Sequence, residues 1–216
     1  MKFISLGLQC SVPQGLNMAT LRKCAYPFDW LWTPGKTVFD IMNILINNGV
    51  DSTIDYMTTG YEYYEYLHNE RFGSVNEITE YQMNKTTGLG INHYKIDTEY
   101  KIKLKRRLER LISHIKSDDK LVFVYADCAS PELNYKLDDI DYGSDATGYL
   151  LRLHSLILPL NKNIEIFYFC WEERKQNDGI IKYIPFDKQK HWTNVASLIR
   201  NHFWDKREIY IFPPRK

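Results

Sequence analysis

Short runs that are apolar at nearly every position alternate along this chain with longer stretches that are apolar at only every third or fourth position. The short runs are Phe3–Leu6, Leu121–Tyr125, Ile164–Phe169 and Ile209–Phe212, and all are rich in β-branched and aromatic residues. Such runs read as strands buried on both faces, as in a parallel sheet covered by helices. The clearest helical stretch is Thr98–Ile115, where Leu104, Leu108, Leu111, Ile112 and Ile115 form one face and lysines and arginines the other. Asp97 or Thr98 can cap its start. Pro13–Arg22, Thr37–Asn47 (stopped by Gly49), Ala146–Leu158 and Asn194–Trp204 read as further helices.

This alternation of strand and helix predicts an α/β fold. The expected architecture is a three-layer sandwich with an open, mostly parallel sheet in Rossmann-like order. No linker or composition break divides residues 1–216, so one domain is expected, large enough for a single core. The stretch 51–92 has the weakest periodicity. Its segment Tyr61-Glu62-Tyr63-Tyr64-Glu65-Tyr66 reads either as a packed tyrosine-rich surface or as part of a lid or insertion over a site.

Charge narrows the partners. The 28 basic and 27 acidic residues leave a formal charge of +1, and the only basic run is the short Lys103-Leu104-Lys105-Arg106-Arg107. This gives no strong signal for nucleic acid or for an anionic membrane surface. The N-terminus lacks the pattern of a secretory signal, and no apolar run approaches a membrane span, so a cytosolic protein is expected. Cys10, Cys24, Cys128 and Cys170 are scattered without a paired spacing, which predicts free thiols, no metal site and no cofactor. Abundant Tyr, Ile, Asn and Lys point to an AT-rich genome, such as that of a large DNA virus or a low-GC bacterium.

Ligands of open α/β sheets bind beyond the carboxyl ends of the strands, where helix N-termini present free N–H groups. Ser5-Leu6-Gly7-Leu8-Gln9-Cys10-Ser11 falls at such an edge. Gly7 permits a sharp exit from the strand, and Pro13 suits an early helical position, so Cys10 or Ser11 lies close to the N-cap. A thiol there feels the positive end of the helix dipole, which lowers its pKa. Cys10 is therefore a candidate nucleophile, with Gly7, Gln9 and Ser11 as candidate binding residues. The alternative is a small apolar cysteine packed near a helix start. Cys24-Ala25-Tyr26-Pro27-Phe28-Asp29-Trp30-Leu31 places one carboxylate among large aromatics. Asp29 and Trp30 are candidate binding residues, and a structural Asp29 that accepts backbone hydrogen bonds is the competing reading.

These two segments carry a resemblance. Ser5-Leu6-Gly7-x-x-Cys10 followed by Tyr26-Pro27-Phe28-Asp29-Trp30 resembles a bacterial and viral family of unknown function described as papain-like cysteine peptidases. The likeness continues through Asn92-His93-Tyr94-Lys95 and the basic helix into the strand Leu121–Tyr125. It implies Cys10 as nucleophile and a later histidine, His93, as base. Where the family pattern has an Asp directly after that histidine this chain has Tyr94, so the orienting group falls to Asp97 or Asp127. A papain fold sets its cysteine on a central helix against an antiparallel, barrel-like sheet, which the strand–helix alternation here does not predict.

Of the six histidines, the rival to His93 is His191. With Asp187, it loosely resembles the layout of SGNH-type esterases, in which a nucleophile follows the first strand and an Asp and a His lie near the C-terminus. His114 and His154 fall within helices and read as structural, and His68 and His202 have no partner signal. Three functions follow. The first is a cysteine-dependent hydrolase acting on a peptide, acyl or glycan-linked substrate. The second is a non-catalytic module that binds a phosphate or sugar-nucleotide ligand at the 7–11 turn. The third is an interaction protein that presents Tyr61–Tyr66.

Overall fold

A computed structural model describes residues 1–7, 10–67, 78–84, 86–91, 95–127, 136–137, 140–141, 144–187 and 192–204. In chain order they form β1 (Lys2–Ser5), α1 (Ser11–Met18), β2 (Leu31–Trp32), α2 (Gly35–Asn47), α3 (Val50–Thr58), β3 (Tyr61–Leu67), β4 (Ile78–Asn84), β5 (Gly90–Ile91) and α4 (Thr98–Ile115). There follow β6 (Leu121–Ala126), the short pair β7 (Lys136–Leu137) and β8 (Ile140–Asp141), α5 (Thr147–Ile157), β9 (Ile164–Trp171), β10 (Ile181–Phe186) and α6 (Trp192–Trp204).

The central sheet has the order β1-β6-β9-β10, and every neighbouring pair is parallel. Ser5 lies opposite Val124, and Val124 opposite Phe167. The apolar run Ile209–Phe212 lies outside the described residues. The fourth described strand of this sheet is β10, whose Lys182 and Pro185 interrupt its apolar pattern. A proline, which has no N–H to donate, is tolerated in it because β10 is the edge strand of this sheet among the described residues.

Alternation along the strands divides the core into two halves. Ile4, Phe123, Tyr125, Ile166 and Tyr168 point to one face and pack with residues of α2, α4 and α5, among them Ile41, Leu104, Leu108 and Leu153. Phe3, Val122, Val124, Phe167 and Phe169 point to the other, where Val12 and Leu16 of α1 meet Val195, Ile199 and Phe203 of α6. The fold is therefore the expected α/β sandwich, with helices on both faces of a parallel sheet.

The stretch 51–92 contributes α3, which packs on α2 and α4, and most of a second sheet of order β2-β5-β4-β3. This sheet is antiparallel, with Leu31 opposite Ile91 and Tyr64 opposite Tyr81. Leu31 and Ile91 belong to the core on the α2/α4/α5 face. Among the described residues, no helix is long and apolar enough to cross a membrane.

Candidate functional site

Because the four strands of the central sheet are parallel, their carboxyl ends meet at one edge. Leu6–Gly7 leave β1 there, Asp127 leaves β6, Trp171 ends β9 and Asp187 leaves β10. Helices begin at the same edge. On one face α1 and α6 start side by side. On the other, Gly35 opens α2 so close to the N-cap of α5 that an added Cβ would lie 2.7 Å from Ala146 Cβ.

Cys10 is the N-cap residue of α1, with φ −70° and ψ −10°, and its carbonyl accepts the N–H of Gln14 at 3.1 Å. The chain reaches it through Gly7, whose φ of +95° lies in the region that favours glycine. An added Cβ at Gly7 would stand 2.8 Å from Thr33 Oγ1, so the turn also needs glycine for space. Cys10 is half-buried, and burial pushes its thiol up to about 11. This corrects the expectation of a lowered pKa: loss of solvation outweighs the lowering by the backbone hydrogen bond at Cys10. The side-chain oxygens of Ser5, Ser11 and Thr33, all buried, make no hydrogen bond.

Asp127 is buried at the same edge, one strand away from β1. Its Oδ1 accepts the Tyr168 hydroxyl at 2.5 Å and Arg174 Nη1 at 2.8 Å, and its Oδ2 accepts the Trp171 N–H at 2.8 Å. Arg174 also donates to the Ser144 carbonyl at 3.2 Å and lies 3.8 Å from the centre of the Trp171 ring. Burial raises the Asp127 carboxyl to about 6, although Arg174, Tyr168 and the Trp171 N–H all favour its ionised form. The carboxylate thus ties the ends of β6 and β9 to the turn that carries Arg174. Asp145, beside this knot, accepts the N–H and hydroxyl of Thr147 at the start of α5.

The remaining candidates divide sharply. Asp97 is exposed and caps α4 by accepting the Tyr100 N–H at 2.8 Å. Asp187 is exposed just past β10. His93, His191 and Gln9 lie outside the described residues. Asp29 is fixed inside the protein: its Oδ2 accepts the Tyr26 N–H at 2.9 Å and both Nε and Nη2 of Arg22 at 3.1 and 3.0 Å. That is the structural role weighed for it, with Arg22 as the unexpected partner. Burial raises its carboxyl above the usual range, against the pull of Arg22. Trp30 adopts φ +67°, an unusual backbone for a bulky residue.

Two of the described histidines, His114 and His202, have structural surroundings. His114 Nδ1 lies 3.0 Å from Asp119 Oδ2, and its ring meets Tyr26 edge to face. His202 packs against Phe167, Phe169 and Phe203. Sequence reading passed over Arg174 and Tyr168. Arg174 stands 47 residues from the carboxylate it pairs with, and nothing local marks it.

Comparison with known proteins gives one match. Residues 1–139 fit a family model described as "Putative papain-like cysteine peptidase (DUF1796)". No curated protein matches, and no solved structure matches.

Proposed function

Because this chain belongs to the family described as putative papain-like cysteine peptidases, we propose that it is a cysteine-dependent hydrolase that cleaves an amide or acyl bond through Cys10. The observation that carries this reading is the position of Cys10 at the start of α1, on the carboxyl edge of a parallel sheet. The fold is not the antiparallel barrel of papain. The feature in common is a cysteine at a helix start, where backbone N–H groups face a reacting carbonyl.

A thiol raised to about 11 is protonated at neutral pH, so attack requires a base that removes its proton. Two histidines compete. β5, which precedes His93 in the chain, packs in the core on the α2/α4/α5 face, whereas Cys10 begins a helix on the opposite face. α6 shares that opposite face with α1, and His191 is the residue directly before it. This favours His191 as base and Asp187 as the group that orients it. Asp97 already caps α4, and Asp127 already holds Tyr168, Trp171 and Arg174.

In the resulting sequence the imidazole takes the Cys10 proton as the sulfur adds to the carbonyl carbon. The N–H groups of Cys10 and Ser11 stabilise the oxyanion. The tetrahedral intermediate collapses as the imidazolium returns its proton to the departing amine or alcohol, leaving a thioester on Cys10. Water, deprotonated by the same imidazole, then releases the acid and the thiol.

The test is to trap the thioester. Incubation with an activated acyl ester, followed by rapid acid quench and peptide mass mapping, is expected to place the acyl group on Cys10, with little on Cys24 or Cys170. Cys10→Ser is expected to lose the adduct. His191→Ala is expected to slow its formation by about a hundredfold or more, the usual range for a lost general base. An acyl group spread evenly over the thiols would overturn the reading.

A further inference from the structure

Ser11 is fully buried and its hydroxyl makes no hydrogen bond. Ser5, at the end of β1 on the face that α1 covers, is in the same state at 1 % exposure. Buried hydroxyls without partners are uncommon and costly, so one at a helix start calls for an explanation. The helix itself adds donors. The Cys10 side chain does not cap α1, the N–H groups of Ser11 and Val12 have no carbonyl one turn back within the helix, and Pro13 carries no N–H.

A second helix start stands beside this one. Gly15 lies one turn on from Ser11 on the same side of α1, and an added Cβ there would be 2.7 Å from both the Ala196 carbonyl oxygen and Ile199 Cβ of α6. Gly15 is the fifth residue of α1 and meets α6 at its fifth to eighth residues, Ala196 to Ile199, so the two helices start within about one turn of each other. Ser11 therefore faces the first turn of α6. Each start carries about half a positive charge, so together they amount to about one. Neither helix has an acidic residue in its first turn. Hydroxyl and N–H donors spread over two helix starts suit a tetrahedral oxyanion, whereas a planar carboxylate is matched best by a guanidinium.

We propose that the neighbouring N-termini of α1 and α6, together with the Ser11 hydroxyl, form a binding subsite for a phosphate group. Its donors are Ser11 Oγ, the Val12 N–H and the first N–H groups of α6. They are separate from the Cys10 and Ser11 N–H groups assigned to the oxyanion, so the subsite does not depend on the hydrolase reading. A substrate that engages both would carry a phosphoryl group close to its scissile acyl or amide bond.

The test is a titration of the 15N-labelled full chain with inorganic phosphate, against sodium chloride at matched ionic strength. Phosphate is expected to give saturable shifts at the amides of Val12, Trp192, Thr193 and Asn194 and to raise Tm with concentration. Ser11→Ala removes an unpaired hydroxyl, so its Tm without phosphate should equal or exceed the wild type, while its phosphate Kd rises about tenfold. Unsaturable shifts, the same shifts with chloride, or an unchanged Kd in Ser11→Ala would overturn the subsite. Cys10→Ser separates the two readings, because it abolishes acyl trapping and should keep the phosphate shifts.

Discussion

Replacing Gly15 with alanine puts a methyl carbon 2.7 Å from the Ala196 carbonyl oxygen, 2.7 Å from Ile199 Cβ and 2.8 Å from Ile199 Cγ2. None of these is the end of a flexible chain, so α1 or α6 must shift. In an unpacked helix the same change would stabilise by about 1 kcal/mol through helix propensity. Overpacking at a closed contact costs about 1–3 kcal/mol, and the carbonyl on the α6 backbone favours the upper part of that range. The net expectation is a loss of about 1–2 kcal/mol. For a chain of this size each kcal/mol moves Tm by about 2–4 °C, so Gly15→Ala should melt about 2–8 °C below the wild type. Urea unfolding followed by far-UV circular dichroism should show a lower midpoint with an unchanged slope. The variant should also alkylate Cys10 more slowly, because the start of α1 is displaced from that of α6. A Tm that rises by the propensity term would refute the close packing of α1 on α6, and with it the placement of Cys10 beside the start of α6.

Other expectations follow from the same edge of the sheet. Gly7→Ala combines a φ of +95° with a contact of 2.8 Å to Thr33 Oγ1, and should cost at least about 2 kcal/mol in urea unfolding. A cost near zero would mean that the turn is not left-handed. Asp127 holds its proton more tightly when folded, at about 6, than the roughly 3.9 of an unfolded aspartate. Its contribution to stability is therefore fully present below pH 4 and is lost as pH rises through 6, a change on the order of 3 kcal/mol. Stability measured from pH 4 to 7 should fall more steeply in the wild type than in Asp127→Asn, and equal slopes would contradict the burial of that carboxyl.

Much of the fold was legible because periodicity and packing agreed. The heptad-like stripe of Thr98–Ile115 marked α4 at its observed limits, since every turn buries a leucine, tyrosine or isoleucine under a basic face. β1, β6 and β9 were readable because the interior of a parallel sheet is apolar on both sides. β10 was not, because an edge strand can carry Lys182 and Pro185 at little cost. α3 escaped notice because Val50–Thr58 is rich in Asp, Ser and Thr and buries only Thr53 and Met57. Its helix depends on packing against α2 and α4. At the site, Gly7 and Pro13 gave away the helix start at Cys10. The thiol's pKa was misjudged because burial depends on residues far away in the chain. The knot around Asp127 was invisible for the same reason, since Tyr168, Trp171 and Arg174 come to it from more than forty residues away.

The central claim is that Cys10 is a nucleophile served by the histidine that precedes α6. The most direct measurement is the rate of Cys10 alkylation by iodoacetamide between pH 5 and 10, read by peptide mass spectrometry in the wild type, His191→Ala and His93→Ala. The account predicts that wild-type Cys10 reacts at least tenfold faster than Cys24 or Cys170 at neutral pH. It also predicts that this rate rises through the imidazole range near pH 6.5 and that only His191→Ala abolishes that rise, leaving a profile set by a thiol at about 11. Equal labelling of the thiols, or a Cys10 profile that neither histidine substitution alters, would contradict it.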